Sequence, residues 1–72
     1  MNYNEAISYA ILRIGEKVTH PVRLLCDIRE KSVVIYLKEE GKWVEVQKVY
    51  GFEDVTHNEV DEFILGAVEN ED

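Results

Sequence analysis

Apolar residues change their spacing twice along this chain, and that change limits the fold more than any other feature. From Tyr3 to Ile14 they fall at Tyr3, Ala6, Ile7, Ala10, Ile11 and Ile14, the i, i+3, i+4 recurrence of a helix with one buried stripe. Three segments rich in β-branched and aromatic residues follow: Val22 to Arg29, Ser32 to Lys38 and Lys42 to Tyr50, each alternating between two faces. The helical spacing then returns at Val60, Phe63, Ile64, Ala67 and Val68. The order is helix, three strands, helix. Short charged connections join the strands, so they form an antiparallel meander, and two amphipathic helices most simply cover one face of it. The expected class is α+β, a three-stranded antiparallel meander with N- and C-terminal helices on one face.

Local signals place the boundaries. Asn2 or Asn4 caps the first helix, and Glu5 three residues after Asn2 makes a near capping box. Gly15 suits the end of that helix. Val18-Thr19-His20-Pro21 connects it to the sheet, since proline disfavours helix at His20. Glu39-Glu40-Gly41 makes a hairpin with glycine available for a left-handed position. Thr56-His57-Asn58-Glu59 is a capping box, with Val55 and Val60 as its hydrophobic staple. Residues 1–69 form one domain, and residues 70–72 are an acidic tail expected to fray.

A chain of 72 residues has little core to draw on. Small domains commonly add a disulfide, a metal or a partner. The single Cys26 forms no intrachain disulfide, and His20 and His57 have no ligand-spaced companions. No metal or other cofactor is expected, and a partner or a second copy is the remaining support. A single thiol fits a reducing compartment. No signal peptide or membrane-length apolar run is visible, so the expected setting is cytoplasmic (host cytoplasm if the chain is viral), with no membrane contact.

Charge is distributed unevenly. Gly51 to Asp72 holds eight acids and no base, while the first 50 residues have seven acids against eight bases, so the net −7 belongs to the last segment. Such a pole orients a protein toward basic partners and opposes direct nucleic-acid binding. On the last helix, Glu59, Glu62 and Glu69 point away from the apolar stripe, with Asp61 and Leu65 beside them and Glu53 and Asp54 leading in. An ordinary solvated helix mixes signs to gain i, i+4 pairs. This one accumulates carboxylates, in a row that can imitate spaced phosphates.

Strand alternation defines a second surface. Val22, Leu24, Cys26, Ile28, Val33, Ile35, Leu37, Val44 and Val46 are expected under the helices. The opposite, open face is expected to carry Leu25, Val34, Tyr36, Trp43 and Val49 with Arg23, Arg29 and Lys38. It offers an interface for a homodimer or a stacking platform for single-stranded nucleic acid. Cross-strand pairing explains the same residues without a ligand.

Catalytic chemistry is sparse. His20 lies in a connection, His57 follows a helix cap, and Cys26 falls in the buried alternation. Ser8 and Ser32 lack a nucleophile context, and the carboxylates lack a pocket to raise their pKa. The expectation is a protein that is not an enzyme.

The element order resembles that of the double-stranded RNA-binding domain. That family holds phosphates with lysines at the start of its last helix, where this chain has Thr56-His57-Asn58-Glu59-Val60-Asp61-Glu62, so the resemblance does not imply duplex binding. Size, charge and architecture together resemble the small acidic inhibitors of bacterial viruses, including anti-CRISPR and DNA-mimic proteins. That resemblance implies a binding protein that blocks the basic surface of a larger nuclease, polymerase or other nucleic-acid-binding protein.

Overall fold

The computed structural model describes residues 1–69, with Glu69 described by its backbone alone. The expected tail, residues 70–72, lies outside the described residues. Five elements follow in order: α1 (Tyr3–Lys17), β1 (Val22–Asp27), β2 (Ser32–Glu39), β3 (Lys42–Val49) and α2 (His57–Glu69). The strands pair antiparallel in the order β1-β2-β3, and both helices pack on one face of the sheet, giving the expected α+β fold.

Both helix starts follow from their caps. Asn2 Oδ1 accepts from the Glu5 amide at 2.8 Å while Glu5 Oε1 accepts from the Asn2 amide at 3.3 Å. At α2, Thr56 Oγ1 accepts from the Glu59 amide at 3.2 Å and Glu59 Oε1 from the Thr56 amide at 3.0 Å. These reciprocal bonds satisfy donors that a helix N-terminus otherwise leaves without partners. Val55 and Val60, on either side of the α2 cap, are both buried. The helix α1 continues through Gly15 and ends at Lys17, with the Val18 amide closing on the Ile14 carbonyl at 2.9 Å. Glycine lowers helix propensity by about 1 kcal/mol, which tertiary packing overrides here.

The β2–β3 hairpin turns on two residues. Glu40 and Gly41 have φ of 49° and 80°, the left-handed pair that matches the twist of the flanking strands. Asp27 closes the β1–β2 turn, its Oδ1 accepting from the amides of Arg29 and Glu30 at 2.9 and 3.2 Å.

The core joins Tyr3, Ala6 and Ala10 of α1, Val33 and Ile35 of β2, and Val60, Phe63, Ile64 and Ala67 of α2. Its centre is Phe52, 1 % exposed, in the connection between β3 and α2. The Phe52 ring meets Tyr3 and Phe63 edge-on, at centroid distances of 6.5 and 5.8 Å. The Phe52 amide donates to the Lys31 carbonyl at 2.9 Å, and the Tyr3 hydroxyl donates to the Ser32 carbonyl at 2.7 Å. The loop, the first turn and α1 thus close around one aromatic cluster.

Several features of the sheet depart from strict alternation. A bulge shifts the β2–β3 register: Ile35 pairs with Gln47 but Tyr36 with Glu45, leaving Val46 as the extra residue. Beyond it Gln47 and Val49 face the helices, and Lys48 lies on the open face. Val34 does belong to the open face, yet it is only 5 % exposed, because β2 is the central strand and its neighbours cover it. Cys26, Ile28 and Val44 are exposed rather than buried. Cys26 lies on an edge strand beyond full cover of α1, and β1 ends at Asp27, which leaves Ile28 in the turn.

Candidate protein-binding surfaces

The acidic residues of α2 separate into two groups. Asp61 turns toward α1. Its Oδ1 accepts from Arg13 Nε at 2.9 Å and its Oδ2 from the Tyr9 hydroxyl at 3.2 Å, so this carboxylate ties the two helices together. Arg13 also approaches Glu16 at 3.7 Å and lies 5.9 Å from the Tyr9 ring centroid. The Asp61 bond raises the Arg13 pKa, while limited solvation, followed by that same bond, raises the Tyr9 pKa. The Tyr9 ring meets His57 edge-on at 4.5 Å, which places His57 at the junction between the helices.

Glu59 and Glu62 occupy the other flank of α2, facing β3. Both are exposed, and both border a groove of about 270 Å³ whose walls include Gln47, Val49, Phe52 and Phe63. Asp54 is exposed in the lead-in loop. Glu53 beside it is half-buried, and its Oε2 is shielded from solvent without a hydrogen bond among the described residues. Leu65 is 41 % exposed one turn further along α2. Glu69 closes α2, and its side chain lies outside the described residues.

Among the described residues, the cation–carboxylate contacts within 4.0 Å are Arg13 with Glu16 and Asp61, and Lys48 with Glu30. None reaches Glu53, Asp54, Glu59 or Glu62. These four surround the cap of α2, next to the groove. The groove itself was not legible in the sequence, because the bulge at Val46 is what turns Gln47 and Val49 toward α2.

The open sheet is basic and aromatic. The Arg23 guanidinium lies over Trp43 at 4.4 Å from the ring centroid, with Lys38 Nζ at 5.6 Å from the same ring. Lys48 Nζ lies 4.8 Å from the Tyr50 centroid, and hydrogen bonding to Tyr50 raises the Lys48 pKa. Arg23, Leu25, Tyr36 and Trp43 line a hollow of about 250 Å³. Leu25 is 56 % exposed, whereas Tyr36 and Trp43 are half-buried under neighbouring side chains. The ring faces are thus partly occupied by the protein's own cations. Arg29 sits in the first turn, off this platform.

Among the described residues no three His, Cys, Asp or Glu side chains are grouped to hold a metal ion. Among the described residues, too, no helix is long and apolar enough to cross a membrane. The Cys26 thiol has its pKa raised by desolvation, the opposite of an activated nucleophile, with its hydrogen bond to Tyr3 acting in the other direction.

Comparisons with protein-family models, with curated proteins and with solved structures returned no match for this chain. The resemblances drawn from the sequence therefore rest on element order, size and charge alone.

Proposed function

We propose that this chain is a small acidic binding protein that occupies a basic, nucleic-acid-handling surface of a larger protein and blocks it, in the manner of a nucleic-acid mimic. The observation that supports this reading is the set Glu53, Asp54, Glu59 and Glu62, four carboxylates around the α2 cap with no cation within 4.0 Å among the described residues. Asp61 is paired with Arg13, whereas Asp54 and Glu62 face solvent without a cation within 4.0 Å among the described residues, and their mutual repulsion with Glu53 and Glu59 is a cost that the helix N-terminus offsets only in part. A basic partner would remove that cost on binding. The groove beside Glu59 and Glu62 would receive an apolar side chain between the charges, with Leu65 as an apolar contact further along the helix.

The test uses Asp54→Lys/Glu62→Lys, because both side chains are exposed and neither is used in a cap or ion pair. Reversing Glu59 would confuse binding with loss of the capping box, and Asp61 belongs to the helix junction. Affinity capture from bacterial lysate at low salt is compared for wild type and the double variant. A nuclease, polymerase or other DNA-binding protein retained by wild type alone, and inhibited by it in a purified assay, supports the reading. Equal retention by a correctly folded double variant rejects the acidic surface.

The open sheet favours a second reading through one observation: the bulge adds Lys48 to Arg23 and Lys38 on a face carrying Tyr36, Trp43 and Tyr50. Single-stranded nucleic acid would stack there after displacing the covering cations. An oligonucleotide that leaves Trp43 fluorescence unchanged at low salt removes this reading. Face-to-face dimerisation through Leu25, Val34, Tyr36 and Trp43 has less to offer, since Val34 is already buried in the monomer.

A further inference from the structure

The two edges of the sheet differ in their protection. β3 carries a bulge at Val46 and the lysines Lys42 and Lys48, devices that discourage another strand from adding to an edge. β1 has no bulge and no lysine between Val22 and Asp27; proline precedes it at Pro21, and its two charges, Arg23 and Asp27, are of opposite sign. It pairs with β2 alone, so every second residue presents its amide and carbonyl to the outside. Exposed apolar side chains also gather on this side. Leu25 and Ile28 are 56 % and 57 % exposed, and Ile11 of α1 is 60 % exposed. Ile11 lies two residues from both Tyr9 and Arg13, hence on the flank of α1 opposite the one that meets α2. α2 borders β3 at the groove, and the Tyr3 hydroxyl ties the start of α1 to Ser32 where β2 follows β1, so α1 lies on the β1 side of α2 and that flank is turned toward the β1 edge.

The sequence of β1 and its exit is complementary to itself. Val22-Arg23-Leu24-Leu25-Cys26-Asp27-Ile28 reads apolar, basic, apolar, apolar, apolar, acidic, apolar. An antiparallel copy centred on Leu25 places Arg23 opposite Asp27, Leu24 opposite Cys26, and Leu25 opposite itself. Opposed residues share a face in this register, so the helices of both copies stay on one side of a continuous sheet. Shifting the register by one step in either direction that preserves faces puts Arg23 or Asp27 opposite Leu25 and loses both ion pairs.

We propose that β1 is a pairing edge for a second copy of this chain, giving a six-stranded sheet across a two-fold axis at Leu25. Two reciprocal Arg23–Asp27 pairs fix the register on the open face. Asp27 Oδ1 is used in its turn, and Oδ2 makes no hydrogen bond among the described residues. Arg23, now over Trp43, would shift its guanidinium toward the new edge. On the helical face, Ile11 of each copy approaches the other copy's α1. Opposite-charge and apolar cross-strand pairs are the units that stabilise such a junction. The proposal is independent of the acidic surface on α2.

Sedimentation of the full chain over a range of micromolar concentrations tests it. Wild type is expected to dimerise. Arg23→Asp alone places two acids opposite each other, and Asp27→Arg alone places two arginines opposite each other. Each is expected to raise the dissociation constant about tenfold or more. Their equimolar mixture, in which every charge again meets its opposite, is expected to recover dimers. Circular dichroism establishes that each variant is folded. If Asp27→Arg disturbs its turn, Leu25→Lys and Leu25→Glu take its place, since Leu25 is exposed and meets itself on the axis. A monomeric wild type overturns the proposal. So does a dimer indifferent to these charges, or a mixture of folded variants that fails to associate.

Discussion

Asp61 accepts from Arg13 and Tyr9, while Glu62, the next residue, faces solvent without a cation. The 100° helical step accounts for the contrast, carrying one side chain to the α1 flank and the other toward β3. Substituting them should therefore have opposite consequences. Asp61→Asn is expected to lower stability by about 1 kcal/mol, the range of a partly exposed ion pair, and to leave partner capture unchanged. Glu62→Gln is expected to leave the urea midpoint unchanged and weaken capture. Tyr3 supplies a third case. Burial, then the Cys26 thiol, raises its pKa above the ordinary 10.0. The fold favours the protonated hydroxyl, so this contribution is complete below pH 10.0 and is lost as pH rises through the higher folded value. Tyr3→Phe should cost about 1–2 kcal/mol at neutral pH, where the Ser32 carbonyl loses its donor. It should also show a shallower alkaline decline, measured as urea midpoints on either side of pH 10.0.

At the scale of elements, the helices were legible in the sequence because their signals are local. Thr56 and Glu59, like Asn2 and Glu5, satisfy amides within one turn, and the apolar stripes repeat without interruption. Thr56→Ala should accordingly cost about 1 kcal/mol. Glu59→Gln should be nearly neutral, since glutamine serves the same capping position. The sheet was legible in its strand order and in the faces of β1 and β2, but not in the face of β3 beyond its bulge. Alternation assumes one residue opposite one, and a bulge at Val46 breaks that rule with no glycine or proline to announce it. Phe52 was missed for a related reason: a single aromatic in a loop has no periodicity, yet it fills the space between both helices and β2. Val34 shows what alternation omits. It lies on the open face but is 5 % exposed, so Val34→Ala should cost about 2 kcal/mol by chemical denaturation. The acidic residues were identifiable from composition alone. Which of them remain unpaired depended on where Arg13 reaches, a tertiary fact.

For the whole molecule, the layered fold separates charge. The acids around the α2 cap lie by the helical layer, while Arg23, Lys38 and Lys48 lie on the opposite face of the sheet. A net charge of −7 on 72 residues would repel most nucleic acid at a distance and attract a basic protein. Near the proposed partner, the separation would orient the acidic pole forward. Association should therefore slow steeply as salt is added, because exposed charges are screened over about 10 Å at 0.1 M ionic strength. Dissociation should change less, since the proposed groove contacts would be shielded from the ions. Asp54→Lys/Glu62→Lys should reduce the association rate more than it raises the dissociation rate, and should flatten the salt dependence of association. Stopped-flow binding to the captured partner at several ionic strengths measures both rates. An association rate indifferent to salt would mean that the carboxylates do not guide the encounter. The contact would then have to be sought on the sheet.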